Sequence, residues 1–189
     1  MLYFFTIFIA MAIIECISIS VSLVSHSISL IYAIVAPFFV NVYVLVMLGI
    51  VTLLLRLFIP KKFWNCEKKL FKVKRKELSI YNKLKIKKWK DLVPEMGSTG
   101  GFPKRNIESL KPEYLWKFLQ ETCFAEFMHY IVGLLGFTVL FFMGKESYFF
   151  TFPILIINLI LHILPCLIQR YNRYRLKKIY DRVATDQKT

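Results

Sequence analysis

Two histidines, His129 and His162, stand in apolar surroundings beside carboxylates, amides and arginines. Thr122, Glu126, His129, Gly133 and Gly136 follow one another at intervals of three and four, with Glu121 next to the first. Asn158, His162, Cys166, Gln169 and Arg173 repeat the pattern. Such spacing puts each set on one face of a helix. Imidazole titrates near neutral pH, so His129 can serve as a general base, with Glu126 one turn away fixing its tautomer. His162 is either a further site residue or a packing and hydrogen-bonding partner. Cys166 is a weaker candidate, since buried thiols are usually inert. Glu126, His129 and His162 are metal-ligand types, yet no HExxH pair or comparable spacing accompanies them, and no metal is expected.

These residues sit in a chain of 189 residues that is 57% hydrophobic, 16% aromatic and 20% charged, with 26 Lys+Arg against 12 Asp+Glu. That balance excludes a disordered chain and points to a membrane protein with cationic flanks rather than a nucleic-acid binder. The four cysteines, Cys16, Cys66, Cys123 and Cys166, are far apart and read as reduced thiols. Apolar runs at about 2–24, 28–58, 122–143 and 148–169 each suffice to cross roughly 30 Å of hydrocarbon as a helix. No Lys or Arg precedes Arg56, so the first run lacks the charged start of a secretory signal and should be retained. The expected fold is all-α, an integral membrane protein of four transmembrane helices. Residues 1–59 form one hairpin, 60–117 a basic, amphipathic cytoplasmic segment, and 118–189 a second hairpin with a basic tail.

Residues 60–117 carry 17 Lys+Arg and 6 Asp+Glu, and residues 170–189 carry 7 and 2. The positive-inside rule places both segments, and hence both termini, in the cytoplasm of a multi-pass cell-membrane protein. Within 60–117, Phe63, Trp64, Leu70, Phe71, Val73, Leu78, Tyr81, Leu84 and Trp89 interleave with lysines and are expected to enter the headgroup boundary. Gly97, Gly100 and Gly101 mark a loop without a following GK[ST], so no Walker-type cradle is expected.

A charge alone in hydrocarbon costs several kcal/mol, so Glu126 and His129 must pair with each other, pair with Arg170 or Arg173, or line a wet cavity. His129 and His162 each lie about 12 Å, eight residues, from the cytoplasmic end of their helix. Gly133 and Gly136 would let the two helices close just beyond that depth, leaving a polar pocket open to the cytoplasm. In the first run Glu15, Ser18, Ser22 and Ser25 share a face, and Glu15 there and Asn41 in the second run are read as interhelical bonding groups rather than substrate contacts. The stretch Gln169-Arg170-Tyr171-Asn172-Arg173-Tyr174-Arg175-Leu176 suits either interfacial anchoring or a clamp on phosphate groups.

Three sets of residues, in this order and approximate spacing, resemble the glycosyl-4,4'-diaponeurosporenoate acyltransferase family of staphyloxanthin biosynthesis. They are Ile59-Pro60-Lys61-Lys62-Phe63 with Ile86-Lys87-Lys88-Trp89-Lys90-Asp91 and Pro94; Glu121-Thr122 with Ala125-Glu126 and His129; and Gln169-Arg170-Tyr171-Asn172-Arg173 with Arg175-Leu176. The resemblance covers about residues 56–182. It implies a membrane enzyme that moves a fatty acyl chain onto a sugar hydroxyl of a glycosylated carotenoid acid. It marks Trp89, Lys90, Glu121, Glu126, His129, Gln169, Arg170, Asn172 and Arg173 as site residues. His162 stands where an asparagine-like residue is expected in the family, and the first span falls outside the match.

The reading that follows is an O-acyltransferase with catalytic His129, Glu126 and His162. Glu121, Asn158, Trp89, Lys90, Gln169, Arg170, Asn172 and Arg173 would contact substrate. The donor would be acyl-CoA or acyl-carrier protein, the acceptor a membrane lipid, with no tightly bound cofactor and no nucleic acid. A homodimer would enlarge the limited interior of four spans. Two rivals remain: another membrane transferase, such as a methyltransferase with a nucleotide-like donor, and a non-catalytic module that binds lipid or a partner helix.

Overall fold

The computed structural model describes residues 9, 12–14, 16–17, 19–21, 23–24, 30–93, 102 and 106–186. Among these all regular structure is helical: α1 (Leu30–Phe58), α2 (Arg75–Lys83), a single turn Ile86–Trp89, α3 (Pro112–Leu135) and α4 (Tyr148–Asp186), with short 3-10 turns between them. Three stretches are long and apolar enough to cross a membrane: Ile34–Phe58, Pro112–Phe141 and Thr151–Asp186. They overlap the second, third and fourth expected spans, and among the described residues the first expected span is not one of them. The described residues between 12 and 21 are helical too. Glu15, Ser18, Ser22, Ser25, Pro94, Gly97, Gly100 and Gly101 lie outside the described residues.

Local chemistry explains the boundaries. Pro112 opens α3, where a missing N–H costs nothing, and Glu113 in the same turn faces the positive end of the helix dipole. Arg56 in the last turn of α1 complements the opposite end. In α2, Glu77 reaches back to accept the N–H of Lys74 at 3.0 Å, half of a capping box. The helix stops where Lys85 turns left-handed at φ 52°.

The chain forms two compact units: residues 1–55 with 130–163, and residues 56–129 with 164–189. In the first, Val40, Val139, Ile154 and Leu155 are buried, with Ile14, Tyr43, Phe137, Leu140 and Met143 packed around them. The Tyr43 and Thr138 hydroxyls share a hydrogen bond. Here α3 and α4 close up at glycines. A Cβ at Gly133 would meet His162 Cβ at 3.2 Å and Leu159 Cδ1 at 3.3 Å, and one at Gly136 would meet Asn158 Nδ2 at 3.0 Å. Most of the large side chains of α1, from Ile31 to Phe58, are exposed, as a lipid-facing helix requires. Asn41 corrects the expectation of an interhelical bond: its Nδ2 donates to Pro37 O at 2.8 Å, one turn back on its own helix. A short amide on a helix can be satisfied locally, and no second helix is needed.

The second unit corrects the reading of the basic segment. Trp64, Phe71, Tyr81 and Ile86 are buried in protein. Trp64 meets Phe124 edge-on with ring centres 5.3 Å apart, and Phe71 meets Phe127 at 6.4 Å. Tyr81 and Ile86 pack with Tyr171, and Val73, Leu78, Trp89, Leu167 and Ile168 surround them. Residues 61–92 thus bury an apolar face on α3 and α4. A basic amphipathic pattern has the same spacing whether its apolar side meets lipid or another helix. Leu70, Ile80, Leu84 and Leu92 stay exposed.

Candidate functional site

At the centre of the second unit lies a network of four charged residues. Glu126 of α3 sends Oε1 to Arg170 Nη1 at 2.6 Å and Oε2 to Arg173 Nη1 at 2.5 Å, and its side chain is only 2% exposed. Arg170 continues to Glu77 of α2, with Nη2 at 2.8 Å from Oε2 and Nε at 3.0 Å from the same oxygen. Two carboxylates and two guanidiniums leave the group formally neutral. That balance is what allows four charges to be held away from water.

The remaining donors are also matched. Arg173 is 1% exposed. Its Nε donates to Thr122 Oγ1 at 2.9 Å, Nη1 to Phe71 O at 2.9 Å and Nη2 to Thr122 O at 2.7 Å. Arg170 adds Lys72 O at 3.3 Å and the Tyr81 hydroxyl at 3.1 Å. The carbonyls of Phe71 and Lys72 are available because residues 71–74 are not helical, so the segment docks through its backbone. The Arg173 guanidinium is thus bonded to protein at all three of its nitrogens. Only the planar fork of arginine reaches this many acceptors at once.

The flanks titrate abnormally. Burial pushes the Tyr81 phenol up to about 12, helped by the hydrogen bond it donates to Glu77 Oε2 at 2.7 Å. For Glu77 burial acts upward too, but the Lys74 N–H, the Tyr81 hydroxyl and Arg170 outweigh it and hold the carboxyl below its usual value. Burial, then the charge of Glu67, raises the Cys66 thiol, so Cys66 is a poor nucleophile.

The other sequence-derived candidates are placed as follows. Glu121 pairs with Arg56 at 3.1 Å, and Arg56 also lies over the Phe124 ring at 4.2 Å. Trp89 donates Nε1 to Leu84 O at 2.9 Å and packs on the Tyr81–Tyr171 cluster. Lys90 pairs with Asp91 at 2.7 Å. Gln169 and Asn172 are half-buried, as is His129, three residues beyond Glu126 on α3. The Cys166 thiol turns to Glu126 O at 3.5 Å. His162 and Asn158 belong to the first unit. His162 is buried there, and Asn158 Nδ2 is buried without a partner among the described residues, as is Thr151 Oγ1. The described residues contain no cluster of three or more ligand-type side chains that could hold a metal ion.

Sequence reasoning gives Glu77 no role and assigns Tyr81 only to the headgroup boundary. A signal existed: Glu77 is the one acidic residue between Glu67 and Asp91, in a stretch crowded with bases.

The network is drawn from three sequence segments, 70–81, 122–126 and 170–173, and a family description spans all of them. Residues 60–182 match the glycosyl-4,4'-diaponeurosporenoate acyltransferase family. The chain belongs to this family. Searches of curated proteins and of solved structures returned no match. The matched region also contains Trp89, Lys90 and His129, and it leaves out α1.

Proposed function

We propose that the protein is an integral membrane acyltransferase, moving a fatty acyl group from a thioester donor to a hydroxyl of a membrane-embedded glycolipid of the glycosylated carotenoid kind. The observation that carries this reading is the family match over residues 60–182, which contains the whole charge network and His129. The basic flanks would face the cytoplasm, where acyl-CoA and acyl-carrier thioesters are found.

In this reading His129 is the general base. It takes the proton of the acceptor hydroxyl as the oxygen attacks the thioester carbonyl. The tetrahedral intermediate then collapses, the C–S bond breaks, and the thiolate takes the proton back from the imidazolium, leaving an ester and a free thiol. Glu126, Arg170, Arg173 and Glu77 act as positioning residues. They lock α3 and α4 together below His129 and hold the basic segment on them. Trp89, Lys90, Gln169 and Asn172 are proposed substrate contacts around that framework.

The test is transfer from radiolabelled palmitoyl-CoA into total bacterial lipid by protein in nanodiscs, comparing wild type with His129→Ala. Labelled lipid that falls at least about a hundredfold in the variant, with unchanged melting, supports the reading. Equal transfer by both proteins removes His129 as the base. No product from a folded wild type with palmitoyl-CoA or palmitoyl-carrier protein would favour a lipid-binding module instead.

A further inference from the structure

A cleft of about 240 Å³ opens on the second unit beside the charge network. One wall is the turn at Cys66 and Glu67 with Lys72. The other is α4, which contributes Arg173, Tyr174, Lys177, Lys178 and Asp181. Lys177 lies seven residues beyond Arg170, about 10 Å along the helix. We infer that this cleft binds the phosphoryl groups of the thioester donor, a coenzyme A-type molecule. The inference rests on the acyltransferase reading for the identity of the occupant.

Three ammonium groups border the cleft, and they are not equivalent. Lys177 bridges Glu67 at 2.7 Å and Asp181 at 2.5 Å, which uses two of its three donors and leaves one. Lys72 and Lys178 have no carboxylate partner among the described residues. Lys178 Nζ lies 4.8 Å from the ring centre of Tyr174. The Lys72 backbone is fixed because its carbonyl accepts from Arg170 at 3.3 Å. Glu67 and Asp181 share the single charge of Lys177, so with Lys72 and Lys178 the cleft keeps a net charge of +1, and the ammonium groups without a carboxylate partner stand on opposite sides of it. A cation would be repelled, whereas a phosphoryl group would find donors on both walls. Arg173 supplies no further charge, because Glu126 neutralises it inside the protein.

An anionic lipid headgroup presents the same phosphate chemistry, so the test separates the two sources. Coenzyme A is titrated calorimetrically into protein in phosphatidylcholine nanodiscs. The variants are Lys72→Ala, Lys178→Ala and, as a control of equal charge change on α2, Lys83→Ala; all three side chains are exposed. Each cleft variant should weaken binding about tenfold, as loss of a charge-assisted hydrogen bond does, and the control less than about twofold. Equal losses in all three, or no binding by the wild type, would overturn the site. If phosphatidylglycerol in the nanodisc competes with coenzyme A in the wild type but not in Lys178→Ala, the headgroup is the occupant and the donor assignment fails. The two inferences also fail separately. Coenzyme A binding that depends on Lys178, without acyl transfer from palmitoyl-CoA, sinks the acyltransferase reading and leaves the cleft standing. Acyl transfer whose KM for palmitoyl-CoA is indifferent to Lys72 and Lys178 sinks the cleft alone.

Discussion

Substituting Glu126 by glutamine keeps the shape of the side chain and removes its charge. Two guanidiniums then lose their shared counterion, and the amide NH2 of glutamine must point at one of them. Arg170 keeps Glu77, 2.8 Å away and partly exposed, and can relax toward it. Arg173 cannot relax, because it is 1% exposed and held by Thr122 and Phe71, all neutral acceptors. Breaking a buried ion pair by removing one partner costs about 3–5 kcal/mol. For a chain of this length each kcal/mol moves the midpoint by about 2–4 °C, so Glu126→Gln should melt about 10 °C lower. Cys66, Cys123 and Cys166 are free and buried, so a thiol-reactive fluorophore reports unfolding directly in detergent or nanodiscs. The double variant Glu126→Gln/Arg173→Met is the sharper measurement. Removing the stranded cation with its partner should return a good part of the loss, so the two changes should couple by about 1.5–3 kcal/mol. A melting point within 2 °C of wild type for the single variant, or additive effects in the double, would refute the reasoning.

The titration of Tyr81 and Glu77, the left-handed Lys85 and the close approach at Gly133 can each be tested as well. Subtracting the tyrosinate titration of Tyr81→Phe from that of the wild type should isolate one phenol ionising near 12 instead of about 10, and Glu77→Gln should move it back toward 10. Because Tyr81 ionises later in the fold than in the unfolded chain, it contributes stability that is complete below about pH 10 and is lost as pH rises toward 12. Glu77, held low, works in the opposite direction: its stabilisation is present above its ordinary value of 4.5 and disappears as pH falls through the lower native value. Lys85→Gly should raise the melting point by about 1 kcal/mol equivalent, since an exposed lysine at φ 52° gives way to the residue that adopts this conformation freely, whereas Lys85→Pro should lower it. Gly133→Ala should destabilise by about 1–3 kcal/mol in the same thiol assay, because the new methyl would press on His162 Cβ, which cannot swing away.

The helices and the need for a counterion at Glu126 were legible because both follow from local rules. An apolar run of twenty residues has one structural solution in lipid, and a carboxylate within it needs a cation. The sequence left open whether His129 or an arginine would meet Glu126, since both lie within reach of its face, and Arg170 and Arg173 now do so. Glu77 and the carbonyls of Phe71 and Lys72 were not legible as partners. They join Arg170 and Arg173 across about a hundred residues of sequence, and no periodicity encodes such a contact. Trp64, Phe71 and Tyr81 were misplaced at the headgroups for a related reason: amphipathic spacing reveals that a face is apolar, not what covers it. Asn41 was readable but misjudged, because its bond one turn back on the same helix needs only the helix itself.

A closed, neutral network is an economical way to attach a strongly basic segment to apolar helices. Residues 60–117 carry a net +11 from 17 Lys+Arg and 6 Asp+Glu, and self-repulsion alone would splay them away from α4, whose end is basic as well. One acidic residue of that segment, Glu77, meets one arginine of α4 and fixes α2. Glu67 meets Lys177 two turns further along and fixes the turn before Phe71. Between these two clamps the backbone carbonyls at 71 and 72 dock on Arg173 and Arg170. The lysines in between are thereby held in place with their charges unspent, which is the condition for an anion-binding surface to be built rather than merely diffuse. The acids of the segment therefore locate the bases, and neutralising Glu77 or Glu67 should disperse the positive surface even though it raises the net positive charge.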